Sequence, residues 1–128
     1  MIKEAYVSFE VARLLKEKGF DENTLMVYMS YGDLCKCNRY DSIRNSNYND
    51  ITKNYFECTA PTHQMAMAWF IQKYNISIEP SALNAHLWAY TIYKLFNKNV
   101  KELHNDGVYE SYEEAVEAAL KYCLTNLI

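Results

Sequence analysis

Hydrophobic residues in this chain recur with two different periods, and the way those periods alternate restricts the folds open to it. Three segments carry the helical period of 3.6 residues, and the stretches between them alternate with the period of two expected of strands. In the first helical segment, 8–18, Phe9, Ala12 and Leu15 with Val11 and Leu14 make an apolar stripe. Glu10, Arg13, Lys16 and Glu17 lie off that stripe. Ser8 is placed to accept a hydrogen bond from the first turn, and Gly19 follows where a left-handed residue closes a helix. The second segment, 61–74, starts at Pro61, whose missing N–H would be unpaired at a first helical position anyway. Its apolar residues Met65, Ala66, Ala68, Trp69, Phe70 and Ile71 cover more than one stripe. The third, 111–124, has the sharpest boundary, because Ser111 and Glu114 stand at capping-box spacing. Glu113, Glu114 and Glu117 favour the positive end of its macrodipole and Lys121 the negative end.

Strand periodicity predicts extended segments at 24–31, 51–58, 75–79 and 87–96, with a last one at 101–109. The strongest is 87–96, with Trp88, Tyr90, Ile92 and Phe96 on one face and Leu87, Tyr93 and Leu95 on the other. The order is α-β-β-α-β-β-(β)-α. Strands that follow one another in pairs favour antiparallel pairing over parallel crossovers. The expected class is therefore α+β, an antiparallel sheet of about four or five strands with three helices on one face. The 128 residues suit a single domain, 1–128. The stretch 38–54 is rich in Asn, Asp and Ser, has only Ile43 and Ile51 as aliphatics, and is expected to be a mobile surface connection.

Net charge is −3, with 13 basic and 16 acidic side chains, too mild for a protein that binds nucleic acid through bulk charge. The N-terminal sequence lacks a signal-peptide apolar run, and no window has the length of a membrane span, so the expected location is the cytoplasm with no membrane partner. Four cysteines then read as thiols. Twelve tyrosines against three glycines and two prolines point to half-buried sheet faces and interfaces.

The nearest approach to a metal set is Cys35 and Cys37 with Cys58 and His63. Thiolates and imidazole are zinc ligands, but one residue between paired cysteines is shorter than the two to four of zinc knuckles. Plain thiols are the expected reading, with no metal and no cofactor. Cys58 and His63 with Asp33 or Glu57 could be drawn as a thiol dyad, without any surrounding motif. Cys123 lies on the apolar face of the last helix and is expected in the core, and His86 and His104 read as surface or satisfied histidines. Gly19, Gly32 and Gly107 are the only glycines, which removes Gly-rich phosphate loops. Trp88, Tyr90 and Tyr93 could stack bases, with Lys36, Arg39, Arg44 and Lys53 as phosphate contacts, although core packing is the expected role of the aromatics.

Ser8-Phe9-Glu10 with Leu15-Lys16-Glu17-Lys18-Gly19-Phe20-Asp21-Glu22, Cys58-Thr59-Ala60-Pro61-Thr62 leading to Met65-Ala66 and Trp69, and Ser111 to Leu124 carry a further signal. These motifs resemble a family of small proteins, without an assigned activity, from gut bacteria and their phages or other mobile elements. The resemblance implies an accessory gene and transfers no site residue. The expectation is a non-enzymatic protein that binds a protein partner or itself. Nucleic-acid association is the alternative, and a small metal- or thiol-dependent enzyme the third reading. Arg39, Tyr40, Arg44 and Tyr48 in the polar stretch are the candidate partner surface.

Overall fold

The computed structural model describes residues 4–36, 42–46 and 56–128. Its elements run α1 (Phe9–Glu17), β1 (Met26–Met29), β2 (Leu34–Lys36), β3 (Phe56–Ala60), α2 (His63–Tyr74), β4 (Ile76–Ala82), β5 (Trp88–Leu95), β6 (Val100–Tyr109) and α3 (Tyr112–Tyr122), which passes into a π-helical turn at Cys123–Leu127. The class is α+β, and among the described residues all strand pairing is antiparallel. The described strands number six and form two three-stranded sheets, β2-β1-β3 and β4-β5-β6, where one sheet of four or five was expected. The chain divides into two compact units, Met1–Thr62 with Ile128, and His63–Leu127.

In the first unit, the Val11 N–H donates to Ser8 Oγ at 3.2 Å, and Gly19 takes φ 90° after the helix, as the capping pattern requires. Val11, Ala12 and Leu15 are the buried side of α1, which packs against β3. Phe9 meets Tyr28 with ring centroids 5.3 Å apart, and the Tyr28 hydroxyl donates to the Val7 carbonyl at 2.6 Å. Val27, Ile43 and Phe56 form a second buried cluster, with Met29 packed on it. Helix α2 begins two residues later than the sequence suggests. The Pro61 carbonyl accepts from the Val7 N–H at 3.1 Å, and Thr62 bridges Tyr6, so these residues stay extended.

Residues 42–46 depart from the surface connection expected of 38–54. Ile43 exchanges both main-chain bonds with Thr24, each 2.8 Å, and Ile43 and Asn45 are buried. The Asn45 amide donates to the Phe20 carbonyl at 2.7 Å and accepts from the Thr59 N–H at 2.9 Å. This short segment therefore straps the loop after α1 to β3. The remainder of 38–54 lies outside the described residues.

The second unit is a meander of three strands with α2 and α3 on one face. Ile76, Ile78, Tyr90 and Ile92 point to that face and are buried, along with Phe70, Ala115, Val116, Ala119 and Leu120. Burial of one such aliphatic side chain is worth about 1.5–3 kcal/mol. Asn75 closes α2 at φ 55°, a left-handed conformation that asparagine tolerates. At α3 the Glu114 N–H donates to Ser111 Oγ at 3.1 Å. The reciprocal half of the box is shifted, since the Glu114 carboxylate accepts from the Glu110 N–H at 3.0 Å. Gly107 faces Ala89 across the sheet, where an added Cβ would sit 3.0 Å from the Ala89 Cβ.

Candidate functional site

Among the described residues the cysteines do not form a metal centre. Cys35 pairs with Val27 and Cys58 with Tyr28, successive residues of β1, so the two thiols point to opposite faces of the first sheet. Cys58 is fully buried, and that burial pushes its thiol up to about 12, with the Lys16 and Arg13 charges pulling the other way. The thiolate needed for metal ligation or nucleophilic attack is thereby disfavoured. Cys37 lies outside the described residues. Cys123 is buried in the second unit, and desolvation likewise pushes its thiol up to about 12. Among the described residues no group of three or more His, Cys, Asp or Glu side chains is placed to hold a metal ion.

His63 opens α2 and belongs to the second unit, whereas Cys58 belongs to the first. It is buried, with Nε2 3.3 Å from Glu117 Oε1, so the pair joins the start of α2 to the middle of α3. Nδ1 has no hydrogen-bond partner among the described residues. The arrangement reads as a structural tie. Glu117→Ala is expected to cost about 1–3 kcal/mol, because it strands a buried ring nitrogen. Glu117→Gln, which keeps an acceptor, is expected to cost less in the same urea titration.

The aromatics of β5 divide by face. Trp88 meets Tyr112 of α3 edge-on with centroids 5.3 Å apart. Tyr90 packs between His104 and Tyr109, each 5.9 Å away. The Tyr109 hydroxyl donates to Asp106 at 2.8 Å, and His104 stacks flat on Tyr122 at 3.7 Å. Burial, followed by the neighbouring Tyr109 and Asp106, pushes the Tyr90 hydroxyl well above its usual range. These rings hold β6 and the end of α3 to the sheet. Tyr90 is buried and packs in the core, whereas Trp88 is half-buried against Tyr112.

The other face of the second sheet is the candidate binding surface. The register aligns Ser77, Tyr93 and Glu102 in one row, Glu79, Thr91 and Asn105 in the next, and Ser81, Ala89 and Gly107 in a third. None of these nine residues is buried. Leu95 and Val100 pair at one end of the face, and Leu83 lies 3.7 Å from where a Gly107 Cβ would stand at the other. Val100 and Leu83 are more than half exposed, at 57% and 56%. The charged side chains of this face, Glu79 and Glu102, are both acidic.

Of the residues proposed in the polar stretch, Arg44 is half-exposed and turned onto Asp21. Its Nε donates to the Asp21 carbonyl at 3.0 Å and lies 3.9 Å from the carboxylate. Arg39, Tyr40 and Tyr48 lie outside the described residues. Among the described residues no helix is long and apolar enough to cross a membrane. No protein-family model, curated protein or solved structure matches the chain.

Proposed function

We propose that this chain is a non-enzymatic accessory protein of a phage or other mobile element, working in the cytoplasm by binding a macromolecular partner through the open face of its second sheet. One observation carries the reading. Two helices cover one face of that sheet, while the opposite face presents Tyr93, Leu95 and Val100 beside hydroxyl, amide and carboxylate groups, none of them buried. A surface that sets an outward tyrosine and exposed aliphatic residues beside polar groups suits a protein interface. The acidic Glu79 and Glu102 oppose phosphate, which favours a protein partner over nucleic acid. The motifs at 8–22, 58–69 and 111–124 support the accessory-gene part of the reading. Nucleic-acid association is the second reading, and Tyr93 is the β5 aromatic that faces outward for it.

The test is recovery of partners from host lysate by the tagged protein, with and without nuclease, against the variant Thr91→Arg. Thr91 sits at the centre of the face and is not buried, so the variant is expected to fold. A stoichiometric protein partner that survives nuclease and falls at least tenfold in recovery with Thr91→Arg is the expected result. Recovery that disappears with nuclease would transfer the reading to nucleic acid. Equal recovery by both proteins would remove this face from the interaction.

A further inference from the structure

The ten-residue strand β6 pairs with β5 along one edge, and among the described residues no strand pairs with the other. Such an edge presents main-chain donors and acceptors to any extended chain, and charges and bulges commonly guard it. Here both devices are present. The register shift between Ile92 and Tyr93 places His104 opposite Ile92 and Glu102 opposite Tyr93, so Leu103 is an extra residue. A bulge of this kind lets two successive residues lean to one face. Lys101, His104 and Asp106 then lie on the helix-covered face, and Val100, Glu102, Asn105 and Gly107 on the open one.

We infer that the free edge of β6 pairs antiparallel with β6 of a second copy of this chain, making one continuous sheet of six strands about a two-fold axis between Leu103 and His104. This rests on the reading of the chain as a binding protein and names one of its partners. Pairs across a sheet must share a face. In this register Val100 meets Gly107, Lys101 meets Asp106, Glu102 meets Asn105 and Leu103 meets His104. The three pairs outside the bulge are face-consistent, and that holds only because of the extra residue at Leu103. A slip of one residue in one direction puts Glu102 opposite Asp106, like charges from different faces. A slip in the other puts Lys101 opposite Asn105, again from different faces.

Charge supplies the second argument. Within the chain Lys101 stands directly opposite Lys94, a like-charged pair, and no ion pair of Lys101 occurs among the described residues. Lys101 and Asp106 are both exposed, so each is available to the facing copy. The dimer gives each Lys101 an Asp106 and forms that ion pair twice. Lys101 and Asp106, charges that would reject an arbitrary strand, meet each other in this register, which is how specificity is built into an edge.

The experiment is sedimentation equilibrium of the full chain over a wide concentration range, for the wild type, Lys101→Glu, Asp106→Lys, and an equimolar mixture of the two variants. Far-UV circular dichroism checks that each folds. The wild type is expected to dimerise. Each variant alone sets like charges against each other and should weaken dimerisation at least tenfold. The mixture should dimerise again, because both cross-strand pairs become opposite in sign. If Asp106→Lys fails to fold after losing its Tyr109 bond, Lys101→Glu, tested against wild type in low and high salt, decides alone. A wild type that stays monomeric, or a dimer indifferent to Lys101→Glu, overturns the inference. A monomer that still recovers a partner from lysate would sink this edge and leave the open-face reading standing. A dimer that recovers nothing would do the reverse.

Discussion

Replacing Asn45 with alanine should cost about 2–5 kcal/mol, a large share of the roughly 5–15 kcal/mol that holds a domain together. Asn45 is buried and uses both ends of its amide, donating to the Phe20 carbonyl and accepting from the Thr59 N–H. Alanine removes both bonds at once, the one to the Phe20 carbonyl and the one from the buried Thr59 N–H. Losing a bond to a buried polar group costs about 1–3 kcal/mol. Asn45→Asp keeps the acceptor and loses the donor while a carboxylate is present. Its deficit relative to wild type should narrow as pH falls below about 4, where a protonated carboxyl can donate again. The neighbouring Thr59 makes the control. Its Oγ1 is buried with no hydrogen-bond partner among the described residues, so Thr59→Val should be neutral or slightly stabilising. Urea unfolding of the four proteins checks this. An Asn45→Ala midpoint within error of wild type would show that 42–46 does not strap the first unit together.

Asn45 also marks where the sequence stops being informative. Helices α1 and α3 are legible because their signals are local: a Ser cap, an apolar stripe and, for α1, a glycine in the next turn all fall within about a dozen residues. Strand β5 is legible because its alternation is long. Strand β2 is not, since Leu34-Cys35-Lys36 is too short to show a period. An asparagine in a run of Asn, Asp and Ser looks like every other loop residue. Its burial depends on Phe20 and Thr59, which the sequence does not connect to it. The division of the strands into two sheets is equally hidden, because alternation shows that a strand exists and not which strand it pairs with. For the same reason His63 suggested a thiol dyad with Cys58, although its partner, Glu117, lies 54 residues away. The Leu103 bulge breaks the alternation of β6 at one point and has no composition signal of its own. The two faces of the second sheet were legible in outline from the alternation of β5. Which face the helices cover required the fold.

Alkaline pH should unfold this protein by a route that starts at its thiols. Cys58 and Cys123 are both fully buried, and desolvation by burial raises each from 9.0 to about 12. An unfolded thiol ionises near 9, but the folded one holds its proton to about 12, so between those values the unfolded state binds fewer protons. Stability is then complete below pH 9 and falls as pH rises, by about 1.4 kcal/mol per pH unit for each thiol. Cys58 belongs to the first unit and Cys123 to the second, so each unit carries its own alkaline sensitivity. Above pH 10 Tyr90 and Tyr109, both raised by burial, add to the slope in the second unit. Urea midpoints measured from pH 7 to 10.5 should decline from about pH 9 onward. The Cys58→Ala and Cys123→Ala variants should start lower at pH 7 because of the atoms removed, yet decline less steeply between 9 and 10. Iodoacetamide labelling with peptide mapping supplies an independent reading at pH 8. Cys35, half-buried on β2, should label in the folded protein, while Cys58 and Cys123 should label only after denaturation. Rapid native-state labelling of Cys58 would mean that its thiolate is accessible, and the thiol-enzyme reading would then have to be reopened at that residue.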